Sequence, residues 1–389
     1  MKYKSLLIFT FCSLLSCKNT ELTITPALEK QLCQSAYNYN KEDVDGYKVK
    51  SFIDSDIQKT AEDALKEGLI ANNADYGCVV IMETNSGKIK AMVNLNKEAD
   101  GSFKFKNNTA ISQLNEPGGL MRTFDLLSLL EDKKIDTSSV FDTHGGEITF
   151  SGIKIRDTHI INGQISISKA FTTSSNTVFA QAVNNSYSNN PSLFCSRLAK
   201  IGFNKSLELP FEGEGIPSLP VANSKQWSEI SLPWLSIGYG LSLTPVQLLT
   251  YYNAIANNGV MVKPLFLSEI KDKDGAIKTY STEVLNSKIA SPKTISILQH
   301  LLAKKAVLDG NAFGSSNNLN AGNAAAVQID YGNSTVVDKK YLASYAGYFP
   351  ANKPKYSMVC FIYNPTKKQP VYGAIVCGNV VKTITEKVK

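Results

Sequence analysis

Residues 77–82 read Gly-Cys-Val-Val-Ile-Met, an apolar run of strand length; Thr84-Asn-Ser-Gly-Lys88 turns the chain, and residues 90–94 return. An apolar run of this length bounded by a turn cluster predicts a buried strand and, with its return, a hairpin. Upstream, residues 59–71 are rich in Ala, Leu, Glu and Lys and predict a helix, with Asp54 and Ser55 placed to cap it. Near the other end, residues 341–349 and 355–363 alternate as strands about Pro350-Ala-Asn-Lys-Pro354, and residues 374–387 predict a closing helix. Strands near both termini with helices between them predict an α+β fold: a central antiparallel sheet that joins the termini, plus a helical subdomain. Residues 311–323, rich in Asn, Gly and Ser, read as a mobile loop, and no internal repeat is visible.

Composition narrows the function. The 389 residues are 43% hydrophobic and 19% charged, enough apolar content for a large core. The formal charge is +7, and removing an N-terminal segment with Lys2 and Lys4 lowers it by two, to +5. So mild a balance, with scattered lysines, argues against a nucleic-acid partner. Residues 1–17 read MKYKSLLIFTFCSLLSC: two lysines, an apolar stretch from Leu6 to Leu15, then Ser16-Cys17. This is the pattern of a secretory signal, too short to span a bilayer. Leu14-Leu15-Ser16-Cys17 resembles a bacterial lipobox, which implies cleavage before Cys17 and lipidation there. The expected organisation is a lipoprotein signal peptide at 1–16, a lipidated tether with room for one helix at 17–44, and one domain at 45–389. An uncleaved anchor and simple secretion are the alternatives.

Cys33, Cys78, Cys195, Cys360 and Cys377 remain besides Cys17; an odd number at irregular spacing is neither a disulfide framework nor a metal site. Cys78, Cys360 and Cys377 lie in apolar, strand-like runs and read as buried small hydrophobes, although an oxidising compartment allows one disulfide. His144, His159 and His300 form no ligand-spaced cluster. No metal or cofactor is expected.

The remaining blocks carry a family resemblance. Residues 114–124 read Leu-Asn-Glu-Pro-Gly-Gly-Leu-Met-Arg-Thr-Phe. Val140-Phe-Asp-Thr-His-Gly-Gly-Glu147 leads to Ile155-Arg-Asp157, and Gly238-Tyr-Gly-Leu-Ser-Leu-Thr-Pro-Val-Gln247 precedes Ala256-Asn-Asn-Gly259 and Lys263-Pro264. With residues 49–61, 79–92, 343–365 and Tyr372-Gly373-Ala374, these blocks resemble, in order, the transpeptidase domain of class B penicillin-binding proteins. The resemblance covers residues 45–389 and implies the fold shared by penicillin-binding proteins and serine β-lactamases, without the family's N-terminal pedestal domain.

That family carries Glu-Pro-Gly-Ser-x-x-Lys, Ser-x-Asn and Lys-Thr-Gly-Thr. Here Gly119 stands at the serine position and Arg122 at the lysine position. Glycine has no nucleophile, and arginine stays protonated and cannot serve as a base. Thr123, a turn deeper, is a weak substitute hydroxyl. Arg122 suits either a structural ion pair or a ligand carboxylate. Ser174-Ser175-Asn176 matches the second motif and also suits a helix cap. Asn323-Ala324-Ala325-Ala326 replaces the third, which removes a substrate-attracting cation and a hydroxyl and adds a methyl where glycine permits close approach. Ser151-Gly-Ile-Lys154, Ser166-Ile-Ser-Lys169 and Ser315-Ser-Asn317 fit motif patterns at the wrong places in the family order.

The expected function is therefore an exported, lipid-anchored transpeptidase-like domain with a degenerate site, facing the periplasm or cell surface. It would act without catalysis as a binding or scaffold protein in peptidoglycan assembly. Its expected partners are a peptidoglycan stem peptide or wall-synthesis proteins, and the membrane through the N-terminal lipid. Two alternatives are a D,D-transpeptidase with relocated catalytic groups and a non-covalent β-lactam or muropeptide sensor.

Overall fold

A computed structural model describes residues 24–39, 42–309, 319–329, 339–367 and 370–388. The signal, Cys17, and Ser315-Ser-Asn317 lie outside them. Helix α1 spans Pro26–Tyr39 and α2 Ser55–Asn72; strands β1 (Tyr76–Glu83), β2 (Ile89–Lys97) and β3 (Phe103–Lys104) follow. The helical region contributes α3 (Arg122–Glu131), α4 (Ile167–Thr173), α5 (Asn176–Tyr187), α6 (Pro245–Ala256) and α7 (Pro292–Leu308). The chain closes with β4 (Ala321–Gln328), β5 (Tyr341–Phe349), β6 (Tyr356–Tyr363) and α8 (Gly373–Lys387).

The six strands form one antiparallel sheet in the order β4-β5-β6-β1-β2-β3. The β1–β6 pairing, with Val80 opposite Val359, joins the two ends of the chain as the sequence predicts. Strand alternation sorts the core into two layers. Cys78, Val80 and Met82 face the helical region, and Val79 and Ile81 face α2 and α8. Asp54 caps α2, accepting from the backbone N–H groups of Asp56 and Ile57 at 3.2 Å. The buried stripe Ile57, Ala61, Ala64, Leu65, Gly68 and Leu69 recurs every three or four residues and seats α2 on the sheet. Gly68 lets α2 approach α8, since a Cβ there would meet the Val380 side chain.

On the other face α6 is buried along its whole length. Its Asn253 donates to Thr84 O at 3.0 Å and accepts from Ser357 Oγ at 2.8 Å, which ties the helix to β6 and to the turn after β1. A capping box of Thr244 and Gln247 starts the helix.

Three sequence expectations shift. The stretch read as tether contains α1, and that helix is docked: Leu32, Cys33, Ala36 and Tyr37 are buried, and Tyr37 donates to Phe266 O at 2.7 Å. Each large apolar side chain buried this way contributes about 1.5–3 kcal/mol. Cys377 lies in α8, not in a strand, because its run packs at helical period against the sheet; all five described cysteines are buried and free. The expected loop at 311–323 lies outside the described residues at 311–318, while Ala321–Asn323 pair with Ala346–Tyr348 in β4. Cross-strand pairing outweighs the weak strand propensity of that small, polar run. Among the described residues no helix is long and apolar enough to cross a membrane.

Candidate ligand cleft

The motif positions converge on a cleft of about 820 Å³ between edge strand β4 with the N-terminus of α8 on one side and the α4–α5 junction on the other. Gly118 and Gly119 enter α3 through a short 3-10 turn. The loop at Gly238 crosses this turn closely: Gly118 N–H donates to Gly238 O at 3.1 Å, and a Cβ on Gly238 would fall 2.5 Å from Gly118 Cα. The Gly-Tyr-Gly block thus buttresses the first motif.

The guanidinium of Arg122 folds back over Gly119. A Cβ built on Gly119 would lie 2.7 Å from Arg122 Cζ and 2.8 Å from Nη1. Arg122 is buried; its Nη1 donates to Asn176 Oδ1 at 2.7 Å, and its Nε has no partner. One turn on, Asp125 is fully buried with neither oxygen hydrogen-bonded. Burial pushes the Asp125 pKa well above the usual carboxylate range, against the pull of Arg122. Burial also lowers the Arg122 pKa, with Asp125 the largest opposing influence. Arg122 thus lies buried in the wall of the cleft, hydrogen-bonded to Asn176. Thr123 is equally enclosed, with Oγ1 2.8 Å from Tyr252 Oη, and cannot meet a ligand.

Asn176 is held at both ends of its amide, accepting from Arg122 and donating to Arg156 O at 2.9 Å. Ser174 ends α4 in a left-handed conformation, φ 62°, and faces the cleft. The capping role falls to its neighbour: Ser175 Oγ accepts from Val178 N–H at 3.3 Å and donates to Asp157 at 2.7 Å, and Asp157 also accepts from Thr177 N–H at 2.8 Å. The serine that caps and the serine that faces the cleft are thus different residues.

On β4, Asn323 points inward and is fully buried; Nδ2 donates to Gly119 O at 2.9 Å while Oδ1 has no partner. Ala324, Ala325 and Ala326 line the cleft. The chain at Gly373 crosses Ala325 so closely that a Cβ there would fall 2.6 Å from the Ala325 carbonyl carbon. On the rim, His159 stacks on Tyr372 with ring centroids 5.4 Å apart.

Sequence reasoning missed Lys305. It lies on the buried stripe of α7 with Leu298, Leu301 and Leu302. Its ammonium donates to Ser174 Oγ at 2.7 Å and pairs with Asp309 at 3.2 Å. A lysine on an apolar helical stripe was the available signal. Burial lowers the Lys305 pKa, and Asp309 partly offsets that. The pattern matches at Ser151 and Ser166 lie elsewhere: Ser151 donates to Glu229 in a turn, and Ser166 caps α4. Among the described residues no cluster of side chains has the makings of a metal site.

This arrangement defines the class. The family model for the penicillin binding protein transpeptidase domain matches residues 77–386, and the chain belongs to that family. Among its relatives is the probable peptidoglycan D,D-transpeptidase PenA of Neisseria flavescens, 23% identical over 85% of this chain and 80% of that protein. The peptidoglycan D,D-transpeptidase FtsI of Buchnera aphidicola is 27% identical over 86% of this chain but only 57% of its own length. The chain thus spans a little over half of that relative. The fold is that of the transpeptidase domain of Burkholderia pseudomallei penicillin-binding protein 3, with TM-score 0.72, 22% identity, and coverage of 87% of this chain and 95% of that one. Penicillin-binding protein 3 of Mycobacterium tuberculosis, solved with aztreonam, superposes with TM-score 0.74 at 21% identity over 88% and 78%.

Proposed function

We propose that this protein uses a transpeptidase fold to bind rather than to react. In this reading it is exported and lipid-anchored at Cys17, with residues 1–16 removed and the segment from Cys17 to the docked helix α1 linking the lipid to the domain. It serves as a non-catalytic binding or scaffold component of peptidoglycan assembly. The carrying observation is the Arg122 guanidinium lying over Gly119, which fills the space a nucleophilic side chain at that position would need. Loss of a nucleophile and base together costs about 10⁴–10⁶ in turnover.

The test is intact mass of residues 18–389 after incubation with a panel of β-lactams. An unchanged mass is expected, and a stoichiometric adduct overturns the reading. A second reading, a relocated acyl-transfer site, draws on the Ser174–Lys305 pair, a hydroxyl beside a buried lysine. The same experiment addresses it, because an adduct on Ser174 would map to its peptide. Burial favours the neutral amine of Lys305 and Asp309 its charged form, so the mapped mass result decides between the two readings. Lipidation is tested separately: a fatty-acid label incorporated by the wild type and lost in Cys17→Ala supports the anchor.

A further inference from the structure

We propose that Lys305 is the ligand-binding cation of this cleft: with the Ser174 hydroxyl it holds a carboxylate of a bound peptide. The proposal rests on the binding reading above and names the group that would recognise the ligand.

Burying an ammonium is costly unless it is well paired. Lys305 is 3% exposed at its side chain, yet its partners are one neutral hydroxyl and one carboxylate, Asp309, at 3.2 Å. An ammonium carries three donors, so one remains unassigned among the described residues. Ser174 Oγ accepts from Lys305, which leaves the hydroxyl proton free to donate. These two donors sit 2.7 Å apart between their heavy atoms and open on the same cleft. Two adjacent donors of this kind match the two oxygens of a carboxylate.

The surrounding charge points the same way. Arg122, Lys169 and Lys305 line the cleft, and Asp309 is the one acid among the lining residues described. At the edge strand, position 323 is a neutral asparagine turned inward to Gly119, so the strand supplies no charge of its own there. Ala324, Ala325 and Ala326 contribute only small side chains to the lining. Asp309, at 20% side-chain exposure, is the more exposed member of its ion pair and can yield to an incoming carboxylate.

The experiment compares binding of a synthetic stem peptide carrying a free C-terminal carboxylate with that of its C-terminal amide, by calorimetry on residues 18–389. The wild type should prefer the acid by roughly 10- to 100-fold, the range of a charged hydrogen-bonding group. Lys305→Met should reduce that preference to about 3-fold or less while keeping the amide affinity, and this result supports the proposal. A preference that persists in Lys305→Met overturns the proposal and leaves the binding reading intact. Equal binding of acid and amide by the wild type does the same. Failure to bind either peptide overturns both. Should Lys305→Met not fold, Asp309→Asn decides. Removing the competing carboxylate should tighten acid binding several-fold relative to amide, and unchanged or weaker acid binding overturns the proposal.

Discussion

The side chain of Arg122 and the bare backbone of Gly119 are mutually dependent: the guanidinium takes the volume that any Cβ at residue 119 would need. Gly119→Ser should therefore overpack the turn and destabilise the protein by about 1–3 kcal/mol. Pairing it with Arg122→Lys should relieve part of that cost, giving a coupling of about 0.5–3 kcal/mol in a double-mutant cycle measured by urea denaturation. Strict additivity would show that the two positions do not compete for space.

Asn176 gives the Arg122 guanidinium its side-chain acceptor. Asn176→Ala should cost about 1.5–3 kcal/mol, the worth of a hydrogen bond to a charged group. Asn176→Asp keeps an acceptor and adds a charge beside the buried guanidinium, so it should be the milder change. Equal denaturation midpoints for the two variants would count against this role.

Thr123 is held by Tyr252, which itself donates to Leu120 O at 3.0 Å. Thr123→Val should cost about 1 kcal/mol of stability, leaving peptide affinity and the β-lactam mass result unchanged. A change in either would give this hydroxyl a functional role that its burial argues against.

Asp125 makes stability depend on pH. Its folded pKa is raised by burial, so the folded state binds the proton more tightly than the unfolded chain. That contribution is fully present below about pH 4, the unfolded value, and is lost as pH rises through the higher folded pKa. Asp125→Asn should remove this decline, flattening urea midpoints from about pH 4 upward relative to the wild type. Parallel profiles for the two proteins would contradict the assignment.

Much of this was legible in the sequence because it depends on local pattern. The apolar run at 77–82, the cap at Asp54 and the paired strands near both termini gave the sheet and its joining of the chain ends. The residue types at Gly119, Arg122 and Asn323, placed by family order, carried the expectation of a site without the usual nucleophile, base and strand cation. Tertiary structure decided what those positions do instead. Arg122 reaches Asn176 across 54 residues, Lys305 reaches Ser174 across 131, and Asn323 reaches Gly119 across 204. Periodicity reports which face of an element is buried and not which distant polar group will meet it. Lys305 therefore went unmarked, and Ser174 could not be told from its capping neighbour Ser175. The docking of α1 was hidden for the same reason: its burial depends on a carbonyl at Phe266 that only the folded chain brings to Tyr37.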